Sequence, residues 1–309
     1  MRTMKVSTQK ALTVILAILS FPFFTAGILN GKRVLILEKK PEMEDFLAPA
    51  VSAEVPEDYP YEAVRAQAVL VRSRCLAEIE QGTKYDAVIQ ELVEEGESSN
   101  ASGHMESVCE RAVKETEHMA LNYGGRAVEG PFFRSGNGTT RSGRDIFQSD
   151  GYPWLLNVES PWDIDEEDYL TPCSFTPAGL FDSLDAAEEG LSEIVFGQDC
   201  RELAAGGILG AEEIAGRFQN FVTDAAGYVT ELTIGEKIFS GERLRRILNL
   251  PSSCFSVQAV DGKLRFLCKG WGHGAGLSQA GAAAMAWEGK AAEEILQHYF
   301  PSATVEMVQ

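Results

Sequence analysis

The sequence predicts an α+β fold of mixed helices and short strands, on three observations. A long stretch after Pro60 places Val64, Ala68, Val71 and Cys75 at helical spacing. From Gly124 to Ser160 the texture changes to Gly, Asn, Ser and Thr between short apolar runs, which reads as strands joined by loops. Phe255 to Leu267 alternates around Asp261-Gly262, a two-residue hairpin turn. Helices and strands intermix without the regular βαβ alternation that a doubly wound sheet requires.

In chain order, Ala11 to Leu29 runs apolar behind a basic start, long enough for a membrane anchor. Residues 1–30 are therefore read as an anchor, and 31–309 as one domain outside the cytoplasm. A cleaved signal ending near Thr25-Ala26-Gly27 is the competing reading. Arg33 to Leu37 is a short strand candidate. Met43 to Glu54 reads helical, with Pro49 marking a kink or boundary. Pro56 to Pro60 is a turn, Pro60 suits the first position of the next helix, and Gly82 ends that helix. Tyr85 to Ser99 is an acidic amphipathic helix, Cys109 to Leu121 a further helix, and Leu184 to Phe218 helical and acidic. The tail holds a glycine-rich loop, Gly270 to Gly276, and two short helices split by Gly289 and stopped by Pro301.

The chain has 309 residues, and 46 Asp and Glu against 27 Lys and Arg give a net charge of −19. Such a field repels phosphate backbones, so nucleic acid is excluded as a partner bound through global charge. Six cysteines show no Cys-x-x-Cys and no zinc-ribbon spacing. Cys254 and Cys268 flank the hairpin, yet a turn at Asp261-Gly262 opposes Val260 to Lys263, and that register leaves them one residue out of step. Cys75, His104 and Cys109 could supply three zinc ligands; free thiols are the alternative, and no metal or cofactor is expected.

Two features point to chemistry. Glu54 sits among Ala50-Val51-Ser52-Ala53 and Val55-Pro56, and a carboxyl in apolar company holds its proton toward neutral pH. Gly270-Trp-Gly-His-Gly-Ala-Gly276 leaves the backbone bare on both sides of His273, permitting close approach of a ligand or of another strand.

The stretch Glu54-Val-Pro-Glu-Asp-Tyr-Pro-Tyr-Glu-Ala-Val-Arg-Ala-Gln-Ala-Val-Leu-Val-Arg72-Ser resembles the opening motif of the stage II sporulation protein D family. Asn137-Gly-Thr-Thr140, Asn157-Val-Glu-Ser-Pro-Trp-Asp163, Leu244-Arg245 with Phe255, and Gly270 to Ala282 resemble its later blocks in the same order. The chain departs from the usual motif at Leu70, Val71, Arg74, Arg141 and Phe147. The resemblance implies a cleft and a lytic transglycosylase, a lyase cutting peptidoglycan between N-acetylmuramic acid and N-acetylglucosamine during engulfment in sporulation. Glu54 occupies the position of the family's catalytic glutamate. Gln67 and Arg72 would support the cleft floor, and Asn137 and Thr140 would hold sugar polar groups. Trp271, His273 and Gln279 would line the opposite wall. The implied partners are glycan strands, a cell-wall amidase and other engulfment proteins. The implied setting is the cell membrane, crossed once by the N-terminal segment, with the domain in the space between mother cell and forespore. A non-catalytic glycan-binding enhancer of the amidase is the alternative.

Overall fold

A computed structural model describes residues 42–308. The chain divides into two units, Met1–Asp45 and Phe46–Gln309. The anchor candidate and the Arg33–Leu37 strand candidate lie outside the described residues, and among those described no helix is long and apolar enough to cross a membrane.

Helix α1 spans Glu44–Glu54 and runs through Pro49 without a break. Proline at this mid-helix position removes one ladder bond, and the Pro49 carbonyl accepts a hydrogen bond from the Ser52 hydroxyl at 2.7 Å. Helix α2, Tyr61–Glu80, is the centre of the molecule. Pro60 caps it one residue earlier than the sequence suggests, in an extended conformation. Its apolar residues are buried on every side, Ala63, Val64, Ala66 and Ala68 each at 1% exposure or less. The alanines keep the helix slim enough for neighbours to pack all round it, and Gly82, at φ +101°, ends it.

Helices α3 (Tyr85–Glu97) and α4 (Gly103–Glu115) follow, the second capped by the Ser102 hydroxyl. The helix expected over Cys109 to Leu121 starts and stops earlier. His118 takes a left-handed φ of 64°, and Met119–Tyr123 becomes strand β1. Tertiary pairing overrides helix propensity there, because β1 lies between β2 (Arg126–Ala127) and β11 (Thr304–Met307) and buries Ala120 and Leu121.

A second core gathers around the sheet β4–β9–β8, made of Leu170–Phe175, Lys263–Lys269 and Phe255–Val260. Asp261 and Gly262, at φ 52° and 71°, form the expected turn, and Val260 opposes Lys263. Cys268 consequently faces Phe255 rather than Cys254, and all six cysteines are free. Strands β5–β6–β7 (Phe218–Thr223, Val229–Ile234, Lys237–Phe239) pack into the same core. The acidic segment before them is four helices, α6 to α9 (Pro177–Ala187, Leu191–Phe196, Cys200–Ala205, Ala211–Ala215), divided at Gly190, Gly197 and Gly206. A short helix, α5 (Gly143–Phe147), lies in the loop region, and α10 (Gly241–Ile247) follows β7.

The glycine-rich loop runs against the segment Pro131–Arg141. Strand β10 (Leu277–Ser278) pairs in parallel with β3 (Phe132–Phe133), and Trp271 bridges Ser135. A side chain at Gly276 would meet the Pro131 carbonyl oxygen at 1.9 Å, and one at Gly270 the Gly136 carbonyl at 2.4 Å. Between the two sequence readings of this loop, close approach of another strand is the one these contacts bear out. Helices α11 (Gln279–Trp287) and α12 (Ala292–Tyr299) complete the fold, separated at Gly289 as expected.

Candidate active site

Glu54 is the last residue of α1, and its side chain keeps 15% exposure on a cleft of about 560 Å³. The cleft is also lined by Tyr59, Arg134, Glu166, Gln279 and Trp287. Burial raises the Glu54 carboxyl to about pKa 7, against the pull of Arg74 and a hydrogen bond from Gln67. Its place at a helix C-terminus disfavours the anion in the same sense.

Three contacts fix this group. Gln67 Nε2 donates to Glu54 Oε2 at 3.0 Å. Arg74 Nη1 stands 3.5 Å from Oε1. Gln279 Nε2 donates to the Glu54 backbone carbonyl at 2.9 Å. Gln67 and Arg74 are seven residues apart on α2, two helical turns, so both point at the end of α1. Arg74 is the residue that the sequence reading noted as a departure and did not place in the site; the spacing from Gln67 was the available signal. Glu95 on α3 holds the other side of the same guanidinium at 2.5 Å.

Gln279 reaches Glu54 because α11 starts where it does. Ser278 accepts a hydrogen bond from the Gly281 amide and donates one to the buried Asp163 carboxylate. The Tyr59 hydroxyl donates to the Gln279 carbonyl at 3.1 Å. A Cβ at Gly281 would fall 1.9 Å from the Tyr299 hydroxyl and 2.6 Å from that of Ser160, two groups bonded to each other at 2.8 Å. The Ser-Pro-Trp-Asp segment is thus the buttress of the Ser-Gln-Ala-Gly helix start. Burial raises Asp163 to about pKa 6.

The other expected site residues lie elsewhere. Arg72 is fully buried and donates to the carbonyls of Met119 at 3.1 Å and Val113 at 3.2 Å, tying α4 and β1 to α2. Asn137 donates to the Ala226 carbonyl and accepts from the Tyr169 hydroxyl. Thr140 is buried, accepting from the Val158 amide and donating to the Leu156 carbonyl. His273 is absent from the lining of the Glu54 cleft. Its Nδ1 accepts from the Ala275 amide, and burial lowers its pKa, so the ring is neutral and serves the loop. Trp271, 40% exposed, borders the cleft through Arg134, whose guanidinium lies 5.1 Å from its ring centre. Arg141 pairs with Asp224 at 2.6 Å and Glu242 at 3.0 Å beneath the loop.

Cys75, His104 and Cys109 do not form a ligand set: among the described residues no three His, Cys, Asp or Glu side chains are grouped to hold a metal. Burial pushes the Cys75 and Cys109 thiols up to about 12 and about 11.

The model of the family "Stage II sporulation protein" matches residues 32–123, the part that carries Glu54, Gln67 and Arg74. Stage II sporulation protein D of Bacillus subtilis is 25% identical over 274 residues, covering 84% of this chain and 72% of its own length. That of Bacillus amyloliquefaciens is 26% identical over 273 residues, with the same coverage. The chain is a relative of stage II sporulation protein D. An uncharacterised protein of Brachyspira hyodysenteriae is 24% identical over 270 residues, covering 86% of this chain and 67% of its own. In this relative of stage II sporulation protein D, the Gly270 to Gly276 loop stands beside the cleft through Trp271 and Arg134, and Glu54 stands in the cleft itself.

Proposed function

We propose that the protein is a peptidoglycan lytic transglycosylase working in sporulation, with Glu54 as its single acid and base. The observation that carries this is a mostly buried carboxyl, open to a cleft and able to keep its proton to about pH 7. The protonated carboxyl gives its proton to the glycosidic oxygen as the C1–O bond breaks. The resulting carboxylate takes the proton of the muramic acid 6-hydroxyl, which attacks C1 within the same sugar and leaves a 1,6-anhydro end. A nucleophile held within the substrate needs no activated water. Gln67 orients Oε2, and Gln279 fixes the backbone beneath it. Trp287, 69% exposed on the cleft wall, offers a flat face for a sugar. The proposal includes tethering by the N-terminal apolar stretch and work beside a cell-wall amidase, as the family resemblance implies.

Purified glycan strands incubated with the protein and read by mass spectrometry test this. Anhydro-muramyl ends that vanish in Glu54→Gln support it. Ordinary reducing ends would instead assign hydrolysis, with Asp58 or Glu166 of the same cleft as second carboxylate. Binding without cleavage would assign the non-catalytic role.

A further inference from the structure

We propose a second saccharide-binding site, on the face built by the β1–β2 hairpin and the loop from Asp150 to Trp154. Four aromatic rings run in series there. Tyr123 stands 5.8 Å from Trp154, Trp154 stands 5.6 Å from Tyr152, and Tyr152 stacks on Phe147 at 4.2 Å. The two ends of the row, Tyr123 and Phe147, are 37% and 44% exposed. The adjoining groove has a volume of about 670 Å³ and shares no lining residue with the Glu54 cleft.

The rings are held in place before any ligand arrives. Gly124-Gly125 makes a two-residue turn, with Asn122 Oδ1 accepting from the Gly125 amide, so Tyr123 directly opposes Arg126. Trp154 spends its one polar atom on the protein, donating Nε1 to the Glu129 carbonyl at 2.8 Å. Gly143 lets Tyr152 sit close, since a Cβ there would meet that of Tyr152 at 2.5 Å. Rigid aromatic rings lose little freedom when a ligand covers them.

Ring faces accept the flat C–H faces of a pyranose, whose hydroxyls then project sideways. The sides of this groove carry the carboxylates of Glu80 and Asp150 and the guanidinium of Arg126. Two acids against one base, on a chain of net charge −19, select against a polyanion and favour a hydroxyl-rich donor. The ligand class is a run of N-acetylhexosamines from the glycan strand, held outside the cleft. That choice of sugar rests on the proposed function; the ring row does not.

Calorimetry of the full chain carrying Glu54→Gln, titrated with the N-acetylglucosamine hexamer, tests the site, with pelleting on purified glycan strands alongside. Two binding events are expected. Trp154→Ala removes one, Tyr123→Ala with Phe147→Ala weakens the same one about tenfold, and Trp154→Phe retains it. In the Glu54 protein, Trp154→Ala slows the cutting of long strands and leaves turnover of short ones unchanged. A single event untouched by the Trp154 and Tyr123/Phe147 changes, with native near-ultraviolet dichroism, overturns the proposal, as does a groove that takes a proline-rich peptide and no sugar. Should Trp154→Ala unfold, the exposed Tyr123/Phe147 pair decides alone. Trp154-dependent sugar binding in a protein that cuts nothing would sink the proposed function and leave this site standing.

Discussion

The Arg74 guanidinium lies 2.5 Å from Glu95 and 3.5 Å from Glu54. It therefore gives its closer ion pair to Glu95, and Glu54 meets a cation whose charge is already largely answered. A buried carboxyl beside an unshared arginine would ionise readily; beside a shared one, desolvation wins. Replacing Glu95 by Gln removes a repelling charge and frees Arg74 to turn to Glu54. Both effects lower the Glu54 pKa, so the alkaline limb of cleavage should move down by about one pH unit. A pH–rate profile of Glu95→Gln checks this, and an unmoved limb would show that Glu95 has no hold on the acid.

Glu54→Gln should abolish cleavage and stabilise the fold at the same time. The folded pKa of about 7 exceeds the ordinary 4.5, so the unfolded chain ionises first as pH rises. The carboxyl's cost therefore grows between those two values and is constant above the higher one. Its removal should contribute up to about 3 kcal/mol at pH 8 and nothing at pH 4. Urea unfolding at both pH values measures the difference.

Arg72 should behave as a structural residue. Arg72→Ala leaves buried carbonyls of Val113 and Met119 without this donor, for a loss of about 3 kcal/mol. The pH profile of the folded protein should keep its wild-type limbs. Thermal unfolding together with that profile separates this role from a catalytic one.

Gly281→Ala should destabilise by about 1–3 kcal/mol through overpacking against Tyr299. Tyr299→Phe removes the oxygen in the way, so the double variant should recover part of the loss. A double-mutant cycle by denaturant unfolding reads the coupling. Additive losses would show that the tyrosine oxygen is not the obstacle.

Much of the molecule was legible in the sequence because local rules decide it. The hairpin turn at Asp261-Gly262 fixed its own register, and with it the separation of Cys254 from Cys268. The burial of the Glu54 carboxyl was legible from its apolar neighbours. The Met119–Leu121 part of β1 was not, because its strand partners lie in β11, more than 180 residues away. Arg72 was expected to support the cleft floor; five residues from Gln67 is about 140° round the helix, which turns it to α4 and β1, and seven residues, at Arg74, returns to the Glu54 face. For His273, flanking glycines announce crowding without saying what crowds them. Here Phe133 crowds Gly272 and the Tyr228 ring crowds Gly274.

The hydrogen bond from Gln279 to the Glu54 carbonyl spans 225 positions. During synthesis the acid leaves the ribosome long before the residue that anchors it, and the last strand, β11, closes the sheet on β1 later still. A long loop must close before the acid acquires its support, which makes the site one of the final things the nascent chain completes. Interrupted translation products thus carry the Glu54 carboxyl in an unfinished setting, and its full set of contacts arrives only once Gln279 has been made.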